Sequence, residues 1–155
     1  MDRADSLLLS PDGESVAPRM SDAPPSSPDP PKADRFELER LKKLEAIEAL
    51  GLDPWGHRFD GHIPIAAARA KAPAEPGVTG EAVRVAGRLM LRNNKGKLKF
   101  YHLQDATGRI QLMVSKADVS ELQWKLIENL DLADIVGVDG TLRVTNTGEV
   151  TVFVT

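Results

Sequence analysis

From Ala82 to Thr155, apart from one stretch of helical spacing, apolar residues recur at every second position, and this period of two makes those segments strands. Successive side chains of a strand point to opposite sides, so each segment gains one face for a core and one for solvent. In the first segment Val83, Val85, Gly87, Leu89 and Leu91 fall on one side, while Arg84, Ala86, Arg88, Met90 and Arg92 fall on the other. Three arginines are therefore expected on one surface. The turn Asn93-Asn-Lys-Gly96 leads into Leu98 to Asp105, and Asp105-Ala-Thr-Gly108 leads into a third segment, where Ile110, Leu112 and Val114 oppose Arg109, Gln111 and Met113. A fourth, Asp134 to Thr145, turns Val136, Val138, Gly140, Leu142 and Val144 inward. After Asn146-Thr-Gly148, Val150, Val152 and Val154 alternate with Glu149, Thr151 and Phe153. Only the second segment is ambiguous, since Phe100 shares a parity with Leu98 and His102, and Tyr101 with Leu103.

Helical spacing appears elsewhere. Asp118 and Glu121 form a capping-box pair ahead of Val119, Leu122, Leu126 and Leu130, which predicts one helix between the third and fourth strands. Asp34 and Glu37 form another, starting a helix that runs from about Arg35 to Leu50 and is stopped by Gly51 and Pro54. Leu41, Leu44 and Ile47 share a face of it with Arg40 and Glu48, and Glu39 and Lys43 are spaced for an i,i+4 ion pair. Seven of the eleven prolines lie in residues 1–34, a segment expected to be disordered, with Met20 as an alternative start. The chain thus divides into a tail (1–34), a helix (35–52), a connecting arm (53–81) with one extra helical turn in Ile63 to Ala68, and a β domain (82–155). The order β-β-β-α-β-β, with Gly87, Gly137 and Gly140 where long first and fourth strands must bend, suits a five-stranded OB barrel. Another small closed barrel with a capping helix is the runner-up.

Composition removes most catalytic chemistry. With no cysteine there is no disulfide, Cys-ligated zinc or thiol nucleophile, and His57, His62 and His102 are scattered, so no metal is expected. The serines concentrate in the tail, Gly96-Lys97-Leu98 lacks the rest of a P-loop, and the carboxylates are dispersed, so no catalytic residue or cofactor is assigned. The longest apolar run near the N-terminus, Leu7 to Leu9, is too short for a signal peptide or a span, which makes the cytoplasm the expected compartment.

A binding role is better furnished. The net charge is −3, yet Arg84, Arg88, Arg92, Lys95, Lys97 and Lys99 follow one another before any acidic group appears at Asp105. Such cations can neutralise phosphates, Phe100 offers a ring for a base to stack on, and Gln111 and Glu149 can hydrogen-bond a base edge. Each has a plainer reading: a solvated arginine face, a core phenylalanine, an exposed glutamine and a turn residue. His57 and His62 read as solvated, and Trp55 and Trp124 as packing anchors.

Taken together, Gly87-Arg88-Leu-Met-Leu-Arg92, Gly96-Lys97-Leu-Lys-Phe100, Leu103-Gln-Asp105, Gly108-Arg-Ile-Gln111, Asp134-Ile-Val-Gly137 and Thr145-Asn-Thr-Gly-Glu149 resemble the N-terminal anticodon-binding domain of class II lysyl-tRNA synthetases. Arg40-Leu-Lys-Lys-Leu44 and Gly51-Leu-Asp-Pro-Trp55 are similar to that family's leading helix and loop, so the resemblance runs from about Arg35 to Thr155. The aspartyl and asparaginyl enzymes typically carry Gly-Trp in place of Gly87-Arg88. The resemblance implies that the central uridine of a lysine anticodon stacks on Phe100 and is read by Arg88 and Gln111. It also implies that Glu149 meets a neighbouring base and Arg92 a phosphate, with Asn93 standing where many relatives have another arginine. It implies tRNA as partner, a homodimer, and a catalytic domain using ATP and Mg²⁺ after Thr155, so that this sequence is expected to be a fragment. The alternatives are a free-standing OB protein that coats single strands without base preference, and a dimerisation module.

Overall fold

The computed structural model describes residues 34–155; the expected tail and the alternative start at Met20 lie outside the described residues. The elements are α1 (Arg35–Ala49), α2 (Ile65–Ala70), β1 (Thr79–Lys95), β2 (Leu98–Gln104), β3 (Arg109–Ser115), α3 (Glu121–Asn129), β4 (Ile135–Val144) and β5 (Val150–Val154). The strands close in the order β1-β2-β3-β5-β4, which makes a five-stranded OB-like barrel with one helix between β3 and β4. Every pairing is antiparallel except that of β3 with β5. No helix among the described residues is long and apolar enough to cross a membrane.

Closure depends on the 17-residue β1, which pairs with β4 through Arg88 and with β2 from Arg88 to Lys95. Between Leu89 and Leu91 the register slips by one residue, so Met90 is the extra residue of a bulge and the alternation reverses beyond it. This corrects the expected three-arginine surface. Arg84 and Arg88 face outward, whereas Leu91 becomes exposed and Arg92 lies opposite the inward-facing Tyr101. Asn93, Asn94 and Lys95 are also strand rather than turn, and the hairpin closes on Gly96-Lys97 alone, with Gly96 at φ +61° as a two-residue turn of this kind needs.

Lys99, Tyr101 and Leu103 point inward on β2, which settles the parity of that strand, and the Tyr101 hydroxyl donates to Asn94 Oδ1 at 3.0 Å at the barrel rim. Two helices cover opposite ends. Trp124 of α3 is buried, as expected for a packing anchor, and Lys99, only 6% exposed, rests its ammonium 4.3 Å from the centre of that ring. The cap of α3 is not the expected Asp118–Glu121 pair but Ser120 with Gln123. Asp118 belongs to a preceding turn, where its amide donates to the Ser115 carbonyl, and the later start carries Trp124 into the core and leaves Leu122 exposed.

The arm is more than a connector. Ile65 and Ala68 of α2 have no exposed surface and plug the end of the barrel beside the β2–β3 turn. Asp105 fastens this plug: its carboxylate accepts from the amides of Ile65 (2.8 Å), Thr107 (2.6 Å) and Gly108 (2.9 Å) and from the Thr107 hydroxyl (2.7 Å). Burial alone would push the Asp105 carboxyl up, but these donors together outweigh it and hold the group below the usual carboxylate range. By contrast Trp55, expected as an anchor, is 84% exposed. The helix α1 keeps its capping box but buries no residue; Glu39 pairs with Lys42, and Lys43 reaches instead to Asp131 after α3 at 2.7 Å.

Gly87 and Gly140 are glycines because neighbouring backbone leaves no room, not because the strand bends there. A Cβ at Gly87 would lie 2.5 Å from the Gln104 carbonyl oxygen, and one at Gly140 would fall on the Phe153 carbonyl, 2.9 Å from its carbon. Gly140→Ala should therefore part β4 from β5 and lower the unfolding free energy by about 3 kcal/mol. Gly96→Ala, strained in φ but facing open space, should cost about 1 kcal/mol; paired denaturant titrations compare the two. Asp105→Ala should cost about 2 kcal/mol at neutral pH, allowing for partial exposure. Because the native carboxyl is held below its unfolded value, this contribution is complete above roughly pH 4 and fades as the pH falls through the native value. Urea midpoints taken from neutral to acid pH should draw closer together for wild type and variant.

Candidate functional site

The outer face of β2 and β3 is a shelf of three cross-strand rows. Gln104 and Arg109 lie opposite each other, with Arg88 of β1 beside Gln104; His102 lies opposite Gln111, which neighbours Thr151 of β5; Phe100 lies opposite Met113, which neighbours Phe153. With a rise of about 3.4 Å per residue, the shelf spans about 14 Å from the Arg88 row to the Phe100 row. Phe100 is half-buried and outward, so its ring is part of the shelf and not of the core. Arg88, Phe100 and Gln111 are thus brought to one face.

Their polar atoms are partly engaged, in a way that sets what remains. The Thr151 hydroxyl donates to Gln111 Oε1 at 2.8 Å, which leaves the Gln111 amide nitrogen as the outward group, a donor pair. Arg88 gives one N–H to the Ala133 carbonyl at 2.8 Å and keeps its other donors. Ala133 itself has φ +78°, which is unusual for alanine, and is held there because its amide donates to the Leu89 carbonyl while the Leu89 amide donates to that of Asp134. The segment after α3 therefore fixes the reach of Arg88. A pocket of about 380 Å³, lined by Gly87, Arg88, Met90, Gln104, Asp105, Ala106 and Ile135, opens beside it.

Glu149 stands at the β4–β5 turn, where its amide donates to the Thr145 hydroxyl at 3.1 Å. Its half-exposed carboxylate lies 3.5 Å from Arg69 of α2, and Arg69 also donates to the Arg109 carbonyl at 3.0 Å. These residues, with Ala66, Thr107 and Gly108, line an open pocket of about 520 Å³. Arg69 and Arg109 were not singled out from sequence. Arg69 sits in an alanine-rich turn whose docking no local pattern reveals, whereas Arg109 was legible as outward.

The remaining cations of the stripe are mostly turned to internal partners. The Arg84 guanidinium grips Asp139 with two bonds of 2.7 and 2.9 Å, donates to the Asp60 carbonyl and covers the Phe59 ring at 4.6 Å. The hydrogen bond and charge of Asp139 raise the Arg84 pKa, and those of Arg84 hold Asp139 below the usual carboxylate range. Arg92, with 18% of its side chain exposed, lies over Tyr101 and 3.5 Å from Asp131, so the bulge takes it away from the shelf. Among the described residues Lys95 and Lys97, at the β1–β2 hairpin, have no ion-pair partner. His57 and His62 are exposed, and no three of the described His, Asp and Glu residues gather as metal ligands.

Residues 83–155 match the family described as OB-fold nucleic acid binding domain. The lysine–tRNA ligase of Enterococcus faecalis is 41% identical over 119 residues, covering 74% of this chain and 24% of the relative. That of Streptococcus suis is 36% identical over 120 residues (75% and 24%), and that of Staphylococcus epidermidis is 38% identical over 125 residues (77% and 25%). The chain spans about a quarter of the length of these curated relatives.

Proposed function

We propose that this chain, whose residues 83–155 match the OB-fold nucleic acid binding domain family, reads the anticodon of a lysine tRNA as the RNA-recognition module of a cytoplasmic lysine–tRNA ligase. The observation that carries this reading is the shared outer face of Phe100, Gln111 and Arg88, each presenting a complementary group. The central uracil stacks on Phe100. The Gln111 amide donates to one base carbonyl and the free Arg88 donors to the other or to the adjoining phosphate, while Glu149 accepts an N–H from a flanking base. Uracil has two carbonyl acceptors where cytosine has one, so a shelf offering donors on both sides prefers uracil. Lys95 and Lys97 supply backbone charge in the place first given to Arg92, which supports the barrel rim through Asp131. Aminoacylation, with its ATP and Mg²⁺, falls to parts of the ligase that this chain does not span.

Base-blind coating of single strands is less well supported, because Arg84, Arg92 and Lys99 of the basic stripe have internal partners. Titration of the full chain at one fixed salt with a lysine anticodon stem-loop, and with the same loop carrying cytidine for the central uridine, should show clear preference for the former. Phe100→Ala should weaken the cognate complex by about 1–3 kcal/mol. Equal affinity for the two loops would overturn the anticodon reading.

A further inference from the structure

The pocket between α2 and the β4–β5 turn holds chemistry that the reading above leaves unused. Arg69 reaches it from the connecting arm, outside the barrel that carries the shelf. Its backbone is fixed: Ile65 and Ala68 of the same helix are fully buried, and the amides of Ile65 and Ala66 are held by Asp105 and by the Thr107 hydroxyl. From this fixed base the Arg69 guanidinium touches two things, the Arg109 carbonyl at 3.0 Å and Glu149 Oε1 at 3.5 Å. The second carboxylate oxygen of Glu149 has no hydrogen-bond or ion-pair partner among the described residues. Both contacts are made by Nη1, whose hydrogen bond goes to the Arg109 carbonyl while its charge draws Glu149 Oε1 to the same side.

Resting on the anticodon reading, we propose that Arg69 is a positioning residue for Glu149. It holds Oε1 and leaves Oε2 to accept a ring N–H from the base flanking the central uracil. Arg69 thereby sets base preference at that position without touching the base. An unrestrained glutamate at a turn would have to be ordered to accept the N–H, a cost that falls only on bases that have one, so the preference for them would shrink. The bases recognised are those with a ring N–H on the pairing edge, uracil or guanine. The ion pair is half-exposed and adds little to stability, so removing it should leave the fold intact.

The test uses the full chain and an anticodon stem-loop with uridine at all three anticodon positions. Variants of the loop carry 3-methyluridine, which lacks the N–H, at either flanking position, or cytidine at the centre. For wild type, methylation at one flank should weaken binding about tenfold. In Arg69→Ala that penalty should fall below about threefold, while the preference for central uridine and the thermal midpoint stay as in wild type. Against a Glu149→Gln background, Arg69→Ala should change the flanking preference no further. Retention of the full penalty in Arg69→Ala overturns the proposal. So does an equal loss of affinity for every loop, which would make Arg69 a phosphate contact. If wild type prefers the central uridine but neither flanking N–H, this inference fails and the anticodon reading stands; if it does not prefer the central uridine, both fail.

Discussion

In a closed sheet every strand has two neighbours, and β1 meets its two in succession along its length. It must pair with β4 at one end and β2 at the other, and the single-residue bulge at Met90 lets it do so while strengthening its twist. Which residues of β1 face outward follows from the place of that bulge. Residues before it keep the phase of Val83, and residues after it have the opposite phase, so Arg88 lies on the shelf while Arg92 turns to Tyr101 and Asp131. At Gly87 and Gly140 the neighbouring strand's backbone comes so close that no side chain fits at those positions.

Charge is distributed by the same logic. A basic stretch without an acidic neighbour looks in sequence like a track for phosphates, yet the fold returns distant carboxylates to it: Asp139 to Arg84, Asp131 to Arg92, Glu128 to Lys99. Lys99 is buried on the inner face under Trp124, where its charge is met by a ring and a carboxylate rather than water. What stays available is a small and selective set, a partly committed arginine, an amide whose oxygen is already bonded and an aromatic ring. Such a set suits discrimination between bases better than bulk attraction to a polyanion.

Much of the architecture was legible because period-two alternation, capping pairs and turn glycines are local signals. The five strands, the intervening helix and α1 with its Asp34–Glu37 box were read within a few residues. What escaped was non-local. A bulge leaves no mark in a hydrophobic pattern in which Leu91 is as apolar as Leu89, so the Arg92 orientation could not be read from parity. Ser120–Gln123 and Asp118–Glu121 fit the same local capping pattern two residues apart, so the sequence did not choose between them, and the structure uses the later pair. The docking of α2 depends on Asp105, forty residues from the amide it binds. For the site, the outward position of Gln111 was clear from its opposite neighbours. That of Phe100 was settled only by the inward turn of Tyr101, and Arg69 had no signal at all.

The short segment from Asp131 to Asp134 gathers more than its length suggests. Asp131 holds both Lys43 of α1 and Arg92 of β1, its own amide is fixed by the Asp134 carboxylate, and the Ala133 carbonyl between them holds Arg88. Four residues that form no part of the shelf thus share one rigid arrangement with its outermost arginine. In a mutational scan they would imitate a recognition hot spot: a change at Asp131 or Asp134 moves the support of Arg88, and its effect on affinity would not add to that of changing Arg88 itself. Loss of binding at these positions is therefore a measure of how stiffly the arginine is mounted, not a map of where the ligand lies.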